Sequence, residues 1–206
     1  MNDHSYYARL ALETRDTKTI IRREALRLFA EKGYSAVSMR ELADAVGMRQ
    51  GGIYNHFAGK QALLVDLMCN HMDALLKVLE TRLNDVLGPA KRLRAFAEHH
   101  VTYHLDFPND VFLAYMEIRS LDDDNRRVIV ELRDQYERTL RGILEDGVSA
   151  GVFHVPDAAV HARMLLSMMT GATVWFRDGG CLGRDDVVAF YLQGVLQSVG
   201  LTVEVP

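Results

Sequence analysis

Cysteine is almost absent from this chain of 206 residues: only Cys69 and Cys181 occur, far apart and in no metal-binding spacing. They read as two reduced thiols, not as a disulfide framework or a zinc site. Proline is scarce, with four residues, and no low-complexity tract is present, which argues against a disordered or fibrous chain. No stretch approaches the roughly 20 uninterrupted apolar residues that a membrane-spanning helix requires. Met1 to Asp16 is polar and carries both signs of charge, without the apolar run of a secretory signal. A cytoplasmic protein with no membrane contact is therefore expected. Alternating runs of useful length and internal repeats are also missing, so no sheet is predicted.

Helical spacing fills the space these absences leave. Thr17 to Lys32 puts Ile21, Ala25, Leu28 and Phe29 on one face, and Gly33 can end the helix. Ser38 can cap a second helix, with Glu41 three residues later to complete a capping box. Leu42, Ala43 and Val46 make its apolar stripe, and Gly47 stops it. A third, short helix is predicted near 49–56, with Ile53 and Phe57 inward. From Lys60, the positions Leu64, Met68, His71, Leu75, Leu79, Leu83 and Val86 keep helical spacing until Gly88-Pro89, long enough to connect two parts of the molecule. Further helices are predicted near 90–105, 109–120, 124–150, 157–177 and 185–199. The fold class is all-α, a three-helix head on a larger helical body. The expected domains are an N-terminal arm at 1–14, the head at 15–60 and the body at 61–206.

Net charge is −4, which looks unfavourable for a polyanion-binding protein until it is divided along the chain. Residues 1–60 hold ten Lys and Arg against seven Asp and Glu, a surplus of three; the rest of the chain is seven net negative. A basic head on an acidic body suits a small module that binds nucleic acid.

The segment from Ser38 to Phe57 has the layout of a helix-turn-helix. A capped helix carries Leu42-Ala43, a tight turn falls at Gly47, and a short helix with few bulky outer side chains follows. Ala43 is small enough for the two helices to cross closely. In such a unit the first helix props the second, so that residues at the start of the second reach base edges. Arg49 and Gln50 are the long donors there; Gln suits adenine and Arg suits guanine, and either can instead take a phosphate. His56 fits packing or a phosphate as well as a base.

These residues resemble the tetracycline-repressor (TetR) family. The matching features are Ala25-Leu-Arg-Leu-Phe-Ala-Glu-Lys-Gly-Tyr34, then Ser38-Met-Arg-Glu-Leu-Ala43, Gly47-Met-Arg-Gln-Gly-Gly-Ile-Tyr-Asn-His-Phe57 and Lys60-Gln-Ala-Leu-Leu64. The resemblance covers about residues 15 to 75. It implies that Tyr54 and Lys60 grip phosphates on either side of the recognition helix and that Ser38 and Arg40 meet the backbone. Arg49, Gln50, Gly51 and Asn55 would face the groove. Two departures stand out: the family usually has Ser or Thr where Gly52 stands, and often Ser where Arg49 stands.

The resemblance further implies a homodimer paired through the C-terminal helices, a palindromic or near-palindromic double-stranded DNA operator, and a repressor released by a small molecule. The expected dimer stripes are Leu165, Met168, Met169 and Ala172, then Val187, Val188, Tyr191, Leu192, Val195 and Leu196. Aromatic and Met residues in the body can line an adaptable cavity, and Phe112, Tyr115, Met116, Met168 and Trp175 are the candidates. The stretch Gly171-Ala-Thr-Val-Trp-Phe-Arg-Asp-Gly-Gly180 resembles regulators that respond to acyl-CoA thioesters, with Arg119, Arg163 or Arg177 to meet phosphates.

His100 and His104 stand at i, i+4, a usable metal-ligand spacing that His99, His154 and His161 could extend. No His-Glu-x-x-His or Glu-x-x-His pairing accompanies them, so they read as polar or partly buried histidines on a surface helix and no metal or cofactor is assigned. Nor is there a nucleophile with its base or a phosphate-cradling Gly loop, and no catalytic residue is named. The competing classes are a helical interaction module without DNA binding, a helical enzyme, and a regulator of another hydrophobic ligand or a metal.

Overall fold

The computed structural model describes residues 16–201, and every regular element among them is a helix. The expected N-terminal arm, 1–14, lies outside the described residues, as do 202–206. In chain order the helices are α1 (Thr17–Lys32), α2 (Met39–Val46), α3 (Gln50–Tyr54), α4 (Lys60–Leu83), α5 (Pro89–Asp106) and α6 (Pro108–Met116). A 3-10 turn (Ile118–Ser120) leads to α7 (Asp123–Ser149), α8 (Ala158–Thr170), the single turn α9 (Ala172–Trp175) and α10 (Arg184–Ser198). The described chain forms two compact units, 16–71 with Asn109–Ile129, and Met72–Pro108 with 130–201. The division falls inside α4 and α7, and it groups α6 with the head helices.

Local chemistry sets the ends of the helices. Asp16 caps α1 by accepting from the Lys18 N–H at 3.3 Å, and the Gly33 N–H closes the last turn on the Phe29 carbonyl. Gly33 has φ 82° with an extended ψ of 146°, a conformation that favours glycine and ends the helix without a left-handed helical turn. Pro89 opens α5 and Pro108 opens α6, positions where a missing N–H costs nothing.

In the first unit, Ile21, Ala25, Leu28 and Phe29 of α1 are buried with Leu42, Ala43, Ile53, Phe57, Leu63 and Leu64. Each larger member contributes about 1.5–3 kcal/mol by leaving water. Val111, Leu113, Leu121 and Ile129 are buried in the same unit. A bidentate ion pair staples α1 to α4: Arg22 Nε and Nη2 lie 2.6 and 2.9 Å from the Asp66 carboxylate, with Lys18 Nζ at 3.4 Å. Burial pushes the Asp66 carboxyl up, but Arg22 and Lys18 together hold it below its ordinary value.

In the second unit α5 is the central helix, packed on α8, α9 and α10. Its buried residues include Leu93, Phe96, Val101, Tyr103 and all three of His99, His100 and His104. These histidines are fully buried where at most partial burial was expected, and their helix is central, not on the surface. His99 Nε2 meets the Leu75 carbonyl at 3.0 Å. His100 contacts Tyr136 Oη at 3.2 Å and Thr170 Oγ1 at 3.1 Å, and stacks on His104 with ring centres 3.7 Å apart. Hydrogen-bonded imidazoles can be buried where lone polar groups cannot. Among the described residues no group of three or more His, Cys, Asp and Glu side chains could hold a metal ion.

Two further expectations change. The helix predicted over 157–177 breaks at Gly171, leaving α8 and the short α9. The proposed dimer stripes also turn inward: Leu165, Met169, Ala172, Val187, Leu192, Val195 and Leu196 belong to the protomer's own core. Val160, Met164 and Met168 instead form an exposed i, i+4, i+8 row on α8, and Phe190 is exposed on α10.

Candidate nucleic-acid interface

The head presents polar side chains outward because its apolar ones are consumed inside. Ser38 adopts the extended conformation of an N-cap, and its Oγ accepts from the Glu41 N–H at 3.1 Å. The Glu41 carboxylate takes Lys32 Nζ at 2.5 Å, tying α2 to the last turn of α1. Lys32, and secondarily the Ser38 backbone, hold the Glu41 carboxyl below its ordinary value. Gly47 is left-handed, φ 72° and ψ 30°, and the Met48 N–H reaches back to the Ala43 carbonyl at 2.9 Å. That six-to-one bond turns the chain tightly enough for α3 to start two residues later.

Arg49 is the N-cap of α3, and Gln50 and Gly51 occupy its first turn. Ile53 is wholly buried, whereas Tyr54, Asn55 and His56 are exposed. The helix is thus anchored by Ile53, with Phe57 just beyond it, while its flanks stay free. Ser38, Arg40, Arg49, Gln50, Gly51, Tyr54, Asn55 and His56 are all exposed on the helix-turn-helix, as a duplex contact requires.

Gly52 is crowded only by a flexible side chain. A Cβ there would lie 2.9 Å from Met48 Cε, so the Met48 side chain already lies over the space a larger residue would need.

Lys60, at the start of α4, is half-buried and oriented. Its Nζ lies 4.1 Å from the centre of the Tyr34 ring and 3.4 Å from the Ser35 carbonyl. Burial lowers its pKa, opposed by the negative charge of Glu117. One hydrogen bond and two ring faces, Tyr34 and at 5.9 Å Phe29, leave ammonium donors for a phosphate.

Glu117, which the sequence reading passed over, is buried at 7% exposure in the same unit. Its Oε1 accepts from the Tyr34 N–H at 3.0 Å and its Oε2 from Ser120 Oγ at 2.6 Å. The available signal was a lone acid amid the otherwise uncharged Val111–Ile118.

The candidate effector residues fall in both units. Phe112, Tyr115, Met116 and Arg119 are exposed in the first; Met168, Trp175 and Arg177 are exposed in the second. Trp175 stacks on Tyr191 and donates to its hydroxyl at 3.2 Å, Arg177 bonds the Phe176 carbonyl, and Arg163 pairs with Glu137. The second unit has an open groove of about 740 Å³, lined by residues of α4, α5 and α7 such as Lys77, Glu80, Arg92 and Gln135. None of the seven candidates lines that groove.

A capped helix, a left-handed glycine turn and a short exposed helix on a three-helix core define a helix-turn-helix DNA-binding head. Comparison with known proteins agrees. Residues 21–67 match the family of bacterial regulatory proteins described as tetR, and residues 86–199 match a tetracyclin repressor-like C-terminal domain. The chain is 29% identical over 181 residues to the HTH-type transcriptional repressor KstR2 of Rhodococcus jostii, covering 85% of this chain and 87% of that one. It is 35% identical to the TetR-family regulator PfmR of Thermus thermophilus, with a TM-score of 0.79 over 87% of this chain and 98% of that one. AibR, solved with isovaleryl coenzyme A and operator DNA, is 25% identical with a TM-score of 0.80, covering 87% and 97%. The chain belongs to the TetR family of DNA-binding transcriptional regulators of the helix-turn-helix class. Among the described residues no helix is long and apolar enough to cross a membrane.

Proposed function

We propose that two copies of this chain grip a palindromic duplex and that an acyl-CoA thioester releases them. Ser38, Arg40, Tyr54 and Lys60 hold phosphates. Arg49 and Gln50 read base edges, with Gly51 letting the backbone approach and Asn55 and His56 flanking the groove. The observation that carries this reading is the row of exposed polar residues on a head whose apolar side chains are buried. With Gly51 and Gly52 in α3, base reading is confined to the start of the helix, and phosphate contacts supply most of the affinity.

The partner surface is the exposed row Val160, Met164 and Met168, together with Phe190. Apolar side chains at such spacing favour a second helix pair of the same kind, and pairing adds the affinities of two half-sites about one DNA turn apart. Met168 is better assigned to this row than to an effector site.

The effector class is supported by the acyl-CoA in the AibR complex and by the stretch from Gly171 to Gly180. Phe112, Tyr115, Met116 and Arg119, and separately Trp175 and Arg177, are the exposed residues available to it. A duplex selected from random sequence by the full-length protein provides the probe. Isovaleryl-CoA and palmitoyl-CoA, but not free coenzyme A, are expected to raise the Kd for that duplex at least about tenfold. Unchanged binding with both thioesters would remove the acyl-CoA assignment. Failure to select any palindrome would remove the operator reading.

A further inference from the structure

We infer that Glu117 is a positioning residue for DNA binding: from outside the helix-turn-helix, it holds the α1–α2 loop on which Lys60 is oriented. The inference rests on the proposed role of Lys60 and Ser38 as phosphate contacts.

Glu117 interrupts α6 and the 3-10 turn that follows, with φ −98° and ψ 5°, and its carboxylate is buried with both oxygens engaged. Oε1 takes the N–H of Tyr34, the residue just after the Gly33 cap of α1. Two anchors of Lys60 Nζ, the Tyr34 ring and the Ser35 carbonyl, lie on this loop, and a more distant one, the Phe29 ring at 5.9 Å, lies on α1 just before it. The same loop runs on to Ser38, the cap of α2.

A second link closes the circuit. Ser120, whose hydroxyl donates to Glu117 Oε2, offers its carbonyl to Gln61 Nε2 at 2.5 Å, one residue from Lys60. The turn 117–120 therefore fastens the loop and the first turn of α4 at once. A carboxylate buried this deeply is costly unless its acceptors are filled, so it holds its N–H and O–H partners in one geometry. Displacing it would free the Tyr34 N–H and loosen the surface that orients the ammonium. No atom of Glu117 need touch DNA.

The test uses the full-length protein and the selected duplex, with three variants. Glu117→Gln keeps an oxygen for the Tyr34 N–H; Glu117→Ala removes it; Glu117→Asp keeps the charge but withdraws the carboxylate by a methylene. Glu117→Ala and Glu117→Asp are expected to raise Kd at least about tenfold and to reduce the slope of log Kd against log salt by about one, as one phosphate contact is lost. Glu117→Gln is expected to stay within roughly threefold of the wild type, because a hydrogen bond and not a charge is what matters. Hydrogen exchange at the Tyr34 amide should be slow in the wild type and Glu117→Gln and fast in the other two. If Glu117→Ala does not fold, the Asp and Gln variants still carry the comparison. Wild-type affinity and slope in a folded Glu117→Asp, or equal impairment of Glu117→Gln, would overturn the inference alone. No wild-type binding to any selected duplex would overturn the interface reading, and this inference with it.

Discussion

Placing a charge in the exposed row on α8 is predicted to separate the protomers without unfolding them. Met164 is 60% exposed, while its neighbour Leu165 is 3% exposed and packs inside the protomer. Burying the free part of Met164 in a dimer removes on the order of 90 Å² of apolar surface, about 2 kcal/mol per protomer at about 25 cal/mol per Å². A two-fold interface loses this twice, and a buried carboxylate adds a desolvation cost, so Met164→Glu should raise the dimer dissociation constant at least about a thousandfold. Sedimentation velocity at micromolar concentration reads the mass directly, and circular dichroism melting reports the fold. Leu165→Ala is the contrasting variant: it should lower protomer stability by about 2–5 kcal/mol through a cavity and leave the association of folded protein in place. If Met164→Glu remained dimeric across the concentrations where the wild type is dimeric, the exposed row would not be the pairing surface. Dissociation by Leu165→Ala instead would return the interface to the stripes now assigned to the core.

Other consequences follow from single contacts. A Cβ at Gly147 would overlap the buried Phe153 ring, so Gly147→Ala should destabilise the protein by about 1–3 kcal/mol or more in a thermal melt; an unchanged midpoint would show that the ring has room to move. Acid should weaken the fold in two stages. Burial lowers His71 to about 4, so its contribution is whole above the unfolded value of about 6.5 and is lost as pH falls from there towards 4. Asp66, held low against burial by Arg22, adds stability above the unfolded carboxyl value, and that stability is lost as pH drops through its lowered folded value. Asp110, which burial raises to about 6, gains stability as pH falls through the first window and partly offsets it. With denaturant midpoints measured from pH 8 to 3, the advantage of the wild type over His71→Leu should fall between about 6.5 and 4. Gly52→Ser should be tolerated once the flexible end of Met48 moves aside, and tighter duplex binding through the added hydroxyl is expected by anisotropy.

What could be seen in the sequence was whatever local chemistry decides. Ser38 and Gly47 mark helix ends because caps and left-handed turns depend on a few adjacent residues. The inward set of α1 followed from spacing alone. Partnering did not. Helix α8 carries apolar residues on two faces, Ala162, Leu165 and Met169 within and Val160, Met164 and Met168 without, and periodicity cannot say which face its own chain covers. The α5 histidines looked like a polar surface because their partners Tyr136 and Thr170 stand 36 and 70 residues from His100. Glu117 was silent for the same reason, since its partner Tyr34 lies 83 residues earlier. The break at Gly171 was missed because that glycine keeps right-handed helical angles.

The central claim is that this head binds duplex DNA chiefly through its phosphates, and a salt titration of binding tests it most directly. Fluorescence anisotropy of the selected duplex, with the wild type and with Tyr54→Ala plus Lys60→Ala, would be followed from about 50 to 200 mM salt. A steep loss of wild-type affinity with salt is expected, with the double variant at least about a hundredfold weaker and its slope shallower by one or more. Equal affinity and equal slope for the two proteins would contradict the account.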